Sequence, residues 1–330
     1  MRAAYVPEPN RMEVGDFPEP EATQTGELVV RMTRASICGS DVHSVYHGFH
    51  TPAGLGRPGY PGHEGVGVVV QSRSATVPVG TRVLTVPVGN IGGCFAEYQL
   101  IHDTQVVPIP DDVDEARILM AQQYGTTLYA MRLFWPEQGS TGMHTGVAAI
   151  IGAGSAGLFF LQQVKQLGFE HVIVSDLDEQ RLRVAESLGA TTVLGADDAI
   201  VEPVLEATGG AGADLVIEAA GADAARAATI AAVRVLGTVG FFGFPEQYGM
   251  APFPMFDAFR KIARIQWAGG TQAEPGLVAF RDAIRDIHEG RIDVDYCLGP
   301  VYSLEQTPEA MAVARDWGHG AVKLAIEIGK

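Results

Sequence analysis

Cysteine is scarce in this chain. Only Cys38, Cys94 and Cys297 occur among 330 residues. An odd number at wide spacing does not make a disulfide framework, so the core must hold the fold, and a reducing cytoplasmic setting is expected. Basic residues are also few: 23 Lys and Arg against 39 Asp and Glu, a formal charge of -16. Nucleic acid and anionic membrane surfaces are thereby excluded as partners, because both call for basic patches. No run of about 20 apolar residues free of charges and breakers is present, so no membrane-spanning helix is expected. The start of the chain, Met1-Arg2-Ala3-Ala4-Tyr5-Val6-Pro7, lacks the long apolar stretch of a signal peptide. Internal repeats and low-complexity segments are absent as well.

What is present reads as a well-cored globular chain, with 47% hydrophobic residues and 40 glycines. Its length suits roughly two domains of about 150 residues. Up to about residue 122 the pattern is β-rich. Strands are expected at 28–32, 65–70 and 81–86, punctuated by Pro and Gly clusters at 54–61 and 87–93. A short helix is expected within 35–43. The character then changes. Helical spacing over 123–134 is followed by apolar strands at 146–151, 171–175, 214–218 and 237–243, with helices at 155–167 and 178–188 between them. Short apolar strands alternating with helices imply a parallel sheet covered on both faces. After residue 270 one helix is expected, near 277–289, and then a mixed tail ending in a strand at 322–326 that packs back on the first part.

Gly152-Ala153-Gly154-Ser155-Ala156-Gly157 follows an apolar strand and opens a helix, which is the context a dinucleotide loop requires. Gly152 permits the tight turn, Gly154 lets backbone approach a pyrophosphate, and Gly157 allows close helix–strand packing. The helix N-terminus, beginning with Ser155 and Ala156, offers free N–H groups to phosphate. The next strand ends at Asp176, at about the 20-residue distance where a carboxylate meets the ribose of NAD and repels the 2′-phosphate of NADP. Arg181 is the nearest cation. NAD is therefore the expected cofactor.

Cys38 lies in Cys38-Gly39-Ser40-Asp41-Val42-His43, and His63-Glu64 in Gly62-His63-Glu64-Gly65. A thiolate, an imidazole and a carboxylate suit a metal of zinc's character. A metal that polarises an oxygen, with a dinucleotide that takes hydride, points to alcohol oxidation. Singly, each residue has a plainer reading: Ser40 or Asp41 as a helix cap, His43 as a solvated helix residue.

With these motifs, the loop at Gly152, the segment Asp214 to Gly221 and the segment Gly237 to Gly243, the chain resembles the medium-chain dehydrogenase/reductase family, in its zinc-dependent alcohol dehydrogenase branch. The resemblance covers nearly the whole length. It implies a Rossmann-type doubly wound parallel sheet inserted into a β-rich, barrel-like (GroES-like) catalytic domain. The catalytic domain would comprise residues 1–122 and 271–330, the dinucleotide domain 123–270, with the active site in the cleft between them. It further implies Cys38 and His63 as zinc ligands, with Glu64 beside the metal and Asp41 orienting His63. Ser40 would take the substrate proton and His43 would relay it outward. Thr126 and Ala220 would contact the cofactor, with Lys323 near its phosphates. Subunits of such enzymes pair through the cofactor domain, so a homodimer or homotetramer is expected.

Two departures stand out. The four-cysteine lobe that holds a structural zinc in many members is lacking, so a single catalytic zinc per subunit is expected. Relatives carry Cys or Glu where Gln122 stands here, counted back from Leu128-Tyr129-Ala130. Gln is a poor zinc ligand beside thiolate or carboxylate. Three outcomes are open: Glu64 completes the ligand set, Gln122 binds directly or through water, or the metal is lost. The last would leave a zinc-free reductase. A non-catalytic dinucleotide-binding protein is the rival from another class.

Overall fold

A computed structural model of the chain describes residues 1–88, 92–136 and 145–329. Residues 89–91, inside the expected turn at 87–93, lie outside the described residues. The chain divides into two compact units, Met1–Gly125 with Gln272–Lys330 and Thr126–Thr271. In chain order the first stretch contains β1 (Arg2–Glu8), β2 (Arg11–Asp16), β3 (Glu27–Ile37), α1 (Gly39–Tyr46), β4 (Glu64–Ser72), β5 (Arg82–Thr85), β6 (Tyr98–His102), β7 (Val106–Pro108), α2 (Glu115–Leu119) and α3 (Ala121–Phe134). The middle stretch contains β8 (Val147–Ile151), α4 (Ser155–Gln166), β9 (His171–Ser175), α5 (Glu179–Ser187), β10 (Thr192–Leu194), α6 (Val201–Ala207), β11 (Ala213–Glu218), α7 (Asp223–Ala232), β12 (Val233–Phe241), α8 (Met255–Lys261) and β13 (Arg264–Trp267). The chain returns to the first unit with α9 (Val278–His288), β14 (Val301–Ser303), α10 (Thr307–Arg315) and β15 (Leu324–Glu327).

β3 organises the first unit. It pairs antiparallel with β4 along most of its length, with β6 through Glu27–Arg31, and with β15 through Arg34–Ile37. Its alternate residues Leu28, Val30 and Met32 enter a core shared with Val69, Val83, Phe95 and Ile101. The strand runs five residues beyond the expected end at Met32 and takes in Ala35 and Ile37, which the sequence pattern offered to a helix. Pairing partners distant in sequence hold that extension, and local pattern does not contain them. The tail does pack back on this unit, through β15. It also carries a second helix, α10, that the reading of one helix after residue 270 missed. Pro308 lies in its first turn, where a missing N–H costs nothing.

The second unit is a six-stranded parallel sheet in the order β10-β9-β8-β11-β12-β13. Every residue of β8 is buried, as an interior parallel strand requires. The strand order reverses between β8 and β11, the switch point outside which ligands bind in open α/β sheets. Asp214, at the start of β11, ties the base of the sheet. Its Oδ2 accepts from Thr145 N and Gly146 N, both at 2.8 Å, and its Oδ1 from Arg234 Nε at 2.5 Å.

The turn after β8 separates the roles of its glycines. Gly152 has φ +103°, which favours glycine. A Cβ on Gly157 would lie 1.7 Å from the Gly152 carbonyl oxygen, whereas a Cβ on Gly154 would meet nothing within 4 Å. Gly157→Ala should therefore cost about 1–3 kcal/mol by overpacking, while Gly154→Ala should leave stability near wild type. Denaturant unfolding of the two variants checks this, and equal stabilities would refute the contrast.

Candidate active site

The site in the first unit is built where β3 ends. Register places Ser36 opposite Glu64, the first residue of β4, and also opposite Ala325 of β15. Two residues on, Cys38 caps the N-terminus of α1, and its N–H donates to Asp41 Oδ2 at 2.9 Å. Asp41 thus sits in the first turn, where the helix dipole favours a carboxylate. Its other oxygen lies 2.9 Å from His63 Nδ1. The imidazole is held by that nitrogen, and Nε2 remains for a ligand role. Burial works against an imidazolium here, but Asp41 and the Cys38 thiol outweigh it and hold His63 well above the usual histidine range.

Glu64 is almost completely buried, and its two oxygens differ. Oε2 accepts from Ser36 Oγ at 2.5 Å and lies 2.6 Å from Lys323 Nζ. Oε1 is buried with no hydrogen-bond partner among the described residues. Lys323 is buried too and also donates to Gln123 Oε1 at 3.3 Å. Desolvation opposes both charges, yet their attraction prevails: Glu64 is held below the usual carboxylate range and Lys323 above the usual lysine range.

Cys38, His63 and Glu64 form the one group of three or more His, Cys, Asp or Glu donors at metal spacing among the described residues. One donor atom from each lies within 4.8 Å of the others. Ligands of a tetrahedral zinc stand roughly 3.3–3.8 Å apart, so a small inward movement would close the set. Thiolate, imidazole and carboxylate are the donors zinc takes, and Glu64 Oε1 is an unspent lone pair. The residues present fit the ion. Gln122 is buried beside them, with Nε2 donating to the His63 carbonyl at 3.4 Å.

α1 carries two more of the expected residues. Ser40 Oγ lies 3.4 Å from His63 Nε2. His43, one turn further on, is half-buried and packs edge-on against Phe49. Cys94 and Cys297 stand apart from this chemistry: burial pushes each thiol up to about 12. Tyr124 is core, with its hydroxyl donating to Asp286 at 3.1 Å.

The cofactor candidates lie in the second unit. Asp176 follows β9, and its Oδ2 accepts from Ala153 N at 2.6 Å, its Oδ1 from Asp178 N at 2.9 Å. The acid is thus bonded to the Gly152–Gly157 turn itself. Asp178 caps α5 and accepts from Arg181 N at 3.1 Å. Ala220 N donates at 2.7 Å to Glu218, whose carboxyl is raised by burial. Thr126 is half-buried on α3. Lys323, expected near phosphates, instead commits its ammonium to Glu64 and Gln123 in the first unit. Ser36 escaped the sequence reading. Its one signal was a polar residue inside a strand otherwise turned to the core.

The family model for the alcohol dehydrogenase GroES-like domain matches residues 24–111, and that for zinc-binding dehydrogenase matches residues 156–281. Zinc-type alcohol dehydrogenase B of Aspergillus flavus is 30% identical over 81% of this chain and 68% of its own length. Sorbitol dehydrogenase of Bacillus subtilis is 25% identical over 99% of this chain and 97% of its own. Among solved structures, zinc dependent alcohol dehydrogenase 2 from Streptococcus pneumonia superposes with a TM-score of 0.85 at 21% identity, over 100% of this chain and 99% of that one. The last likeness concerns the fold alone.

Removing one partner of a buried ion pair leaves the other charge uncompensated, which costs about 3–5 kcal/mol. Lys323→Met should lose stability on that scale in denaturant unfolding. A variant as stable as wild type would show that the pair with Glu64 does not hold this unit together.

Proposed function

Because the chain belongs to the zinc-type alcohol dehydrogenase family, we propose that it reversibly oxidises an alcohol or polyol to the aldehyde or ketone, with NAD as hydride acceptor and one zinc ion per subunit. The observation that carries this reading is Glu64 Oε1, buried and unpartnered beside Cys38 and His63. It favours Glu64 as the protein ligand that Gln122 does not replace. The likeness to a sorbitol dehydrogenase supports the polyol end of the range.

Bound at Cys38, His63 and Glu64, zinc supplies Lewis acidity that lowers the pKa of an alcohol, and NAD supplies the hydride acceptor. The chain's own residues do the rest. Asp41 fixes the tautomer and aim of His63. Ser36 and Lys323 hold Glu64 Oε2, so Oε1 alone faces the ligand position. Ser40 accepts the alcohol proton and passes its own to His43, one turn along the same helix face. His43 hands it to solvent. Gly154 leaves open space at the N-terminus of α4 for a pyrophosphate. Asp176 keeps lone pairs beyond its two backbone hydrogen bonds and can accept from a ribose diol. Exposed Phe256 and Phe259 of α8, with Ile262 and Trp267 at the terminal strand β13, support association of subunits through this unit.

Elemental analysis should find about one zinc per subunit, and chelation should remove it together with NAD-dependent oxidation of a broad alcohol panel. Cys38→Ala should lose both zinc and turnover while keeping NAD affinity; unchanged zinc content in that variant would sink the ligand assignment. Asp176→Asn keeps an acceptor for Ala153 N and removes the charge. The kcat/KM preference for NAD over NADP should then fall by about tenfold, or about 1.4 kcal/mol. An unaltered ratio would mean that Asp176 does not select the cofactor.

A further inference from the structure

The last turn of α1 holds a feature that alcohol oxidation does not require. His43 and His47 are spaced i,i+4 on one helix face, and their Nδ1 atoms lie 3.2 Å apart. Two nitrogens each about 2.0–2.1 Å from one zinc ion and 3.2 Å from each other subtend about 100° at it, between octahedral and tetrahedral angles. The backbone that carries the two rings is fixed. His47 caps the C-terminus of α1, its N–H donating to the His43 carbonyl at 3.0 Å, and Phe49 N donates to the same oxygen at 3.3 Å. Phe49 also packs edge-on against His43, with centroids 5.5 Å apart. The pair stands at the negative end of the helix dipole, where cations are favoured. His47 is exposed, so an ion from solvent can reach it.

We propose that His43 and His47 form a second, open cation site for a transition-metal ion such as Zn2+ or Ni2+, and that an ion held there withdraws His43 from proton transfer. The second clause rests on the relay assigned to His43 above; the first does not. Binding needs both rings neutral with Nδ1 lone pairs exposed, so the hydrogen between the two Nδ1 atoms moves to an Nε2. No third donor joins the pair at metal spacing among the described residues, where Cys38, His63 and Glu64 are the one such group. Water completes the coordination, and the ion exchanges with solvent. Imidazole suits Zn2+, Ni2+ and Cu2+ rather than Mg2+ or Ca2+, so the site discriminates by ligand softness. It is an inhibitory site: metal in excess of the catalytic equivalent slows proton release.

Equilibrium dialysis of the zinc-loaded enzyme against Zn2+, and separately against Ni2+, reads the site directly. Wild type takes up one equivalent beyond the catalytic zinc. His47→Gln loses that equivalent, with thermal unfolding and basal turnover unchanged, and Cys38→Ala retains it. Excess Zn2+ slows wild type and spares His47→Gln. A wild type that binds a single zinc, or a His47→Gln variant that keeps the second, would overturn the site. Loss of the second equivalent in His47→Gln, with no slowing of wild type at full occupancy, would uphold the site and overturn the relay role of His43.

Discussion

The buried carboxylate of Glu64 is the constraint on which the first unit's chemistry depends. Its two partners come from distant places in the chain, Ser36 at the end of β3 and Lys323 just before β15, and Lys323 is held in turn by Gln123 on α3. The register Ser36↔Glu64 and Ser36↔Ala325 brings the strand partners side by side. Charge accounting shows why a lysine belongs there. With a divalent ion bound as proposed, thiolate, carboxylate and neutral imidazole would sum to two negative charges, which the ion would neutralise. Asp41, behind His63, adds a third, and Lys323 balances it. Without Lys323, a nearly dry pocket would carry an unpaired charge, which is the costly case for buried ions. The same ammonium holds one oxygen of Glu64, so that the other is presented singly.

The division of labour inside the dinucleotide turn follows from backbone geometry. Gly152 and Gly157 are required by the protein itself, one by its positive φ and the other by contact with a carbonyl oxygen. Gly154 is not, because space beside it is open. Glycine at that position therefore makes physical sense for a ligand rather than for the fold. Asp176 joins both purposes. By accepting from Ala153 N it fixes the turn to the end of β9, and the same carboxylate carries the charge that the proposed preference for NAD rests on.

The fold class and the dinucleotide turn were legible in sequence because both rest on short-range pattern: apolar strands such as 147–151 and 171–175, a Gly-rich turn, a helix start. Cys38, Asp41, His63 and Glu64 were legible as a group because ligand chemistry restricts residue types. What escaped was non-local. The extension of β3 to Ile37 is held by β4 and β15, whose contacts no window of neighbouring residues contains. Lys323 was read as a phosphate contact because a lone lysine in sequence shows only its charge. The partner that pins it, Glu64, is set by strand register. α10 is a short helix of nine residues within a tail of mixed pattern, and Pro308 suits its first turn. Gln122 is a neutral amide buried beside this group, and Glu64 with a free oxygen makes that neutrality intelligible: a further anion would leave the pocket with one charge too many.

α1 then draws the site's polarity together. It has only eight residues, yet its ends carry opposite chemistry in the sense the helix dipole favours. Cys38 and the carboxylate of Asp41 stand at its positive N-terminus. The basic rings of His43 and His47 stand at its negative C-terminus. Ser40 lies in the first turn, three residues before His43. In the relay proposed above, a proton leaving the neighbourhood of Cys38 and His63 along this helix would move down its electrostatic gradient, from the end that repels positive charge to the end that attracts it. The direction of release in that relay would be set by backbone orientation. Side chains along α1 need only provide stepping points, and reversing them would work against the dipole.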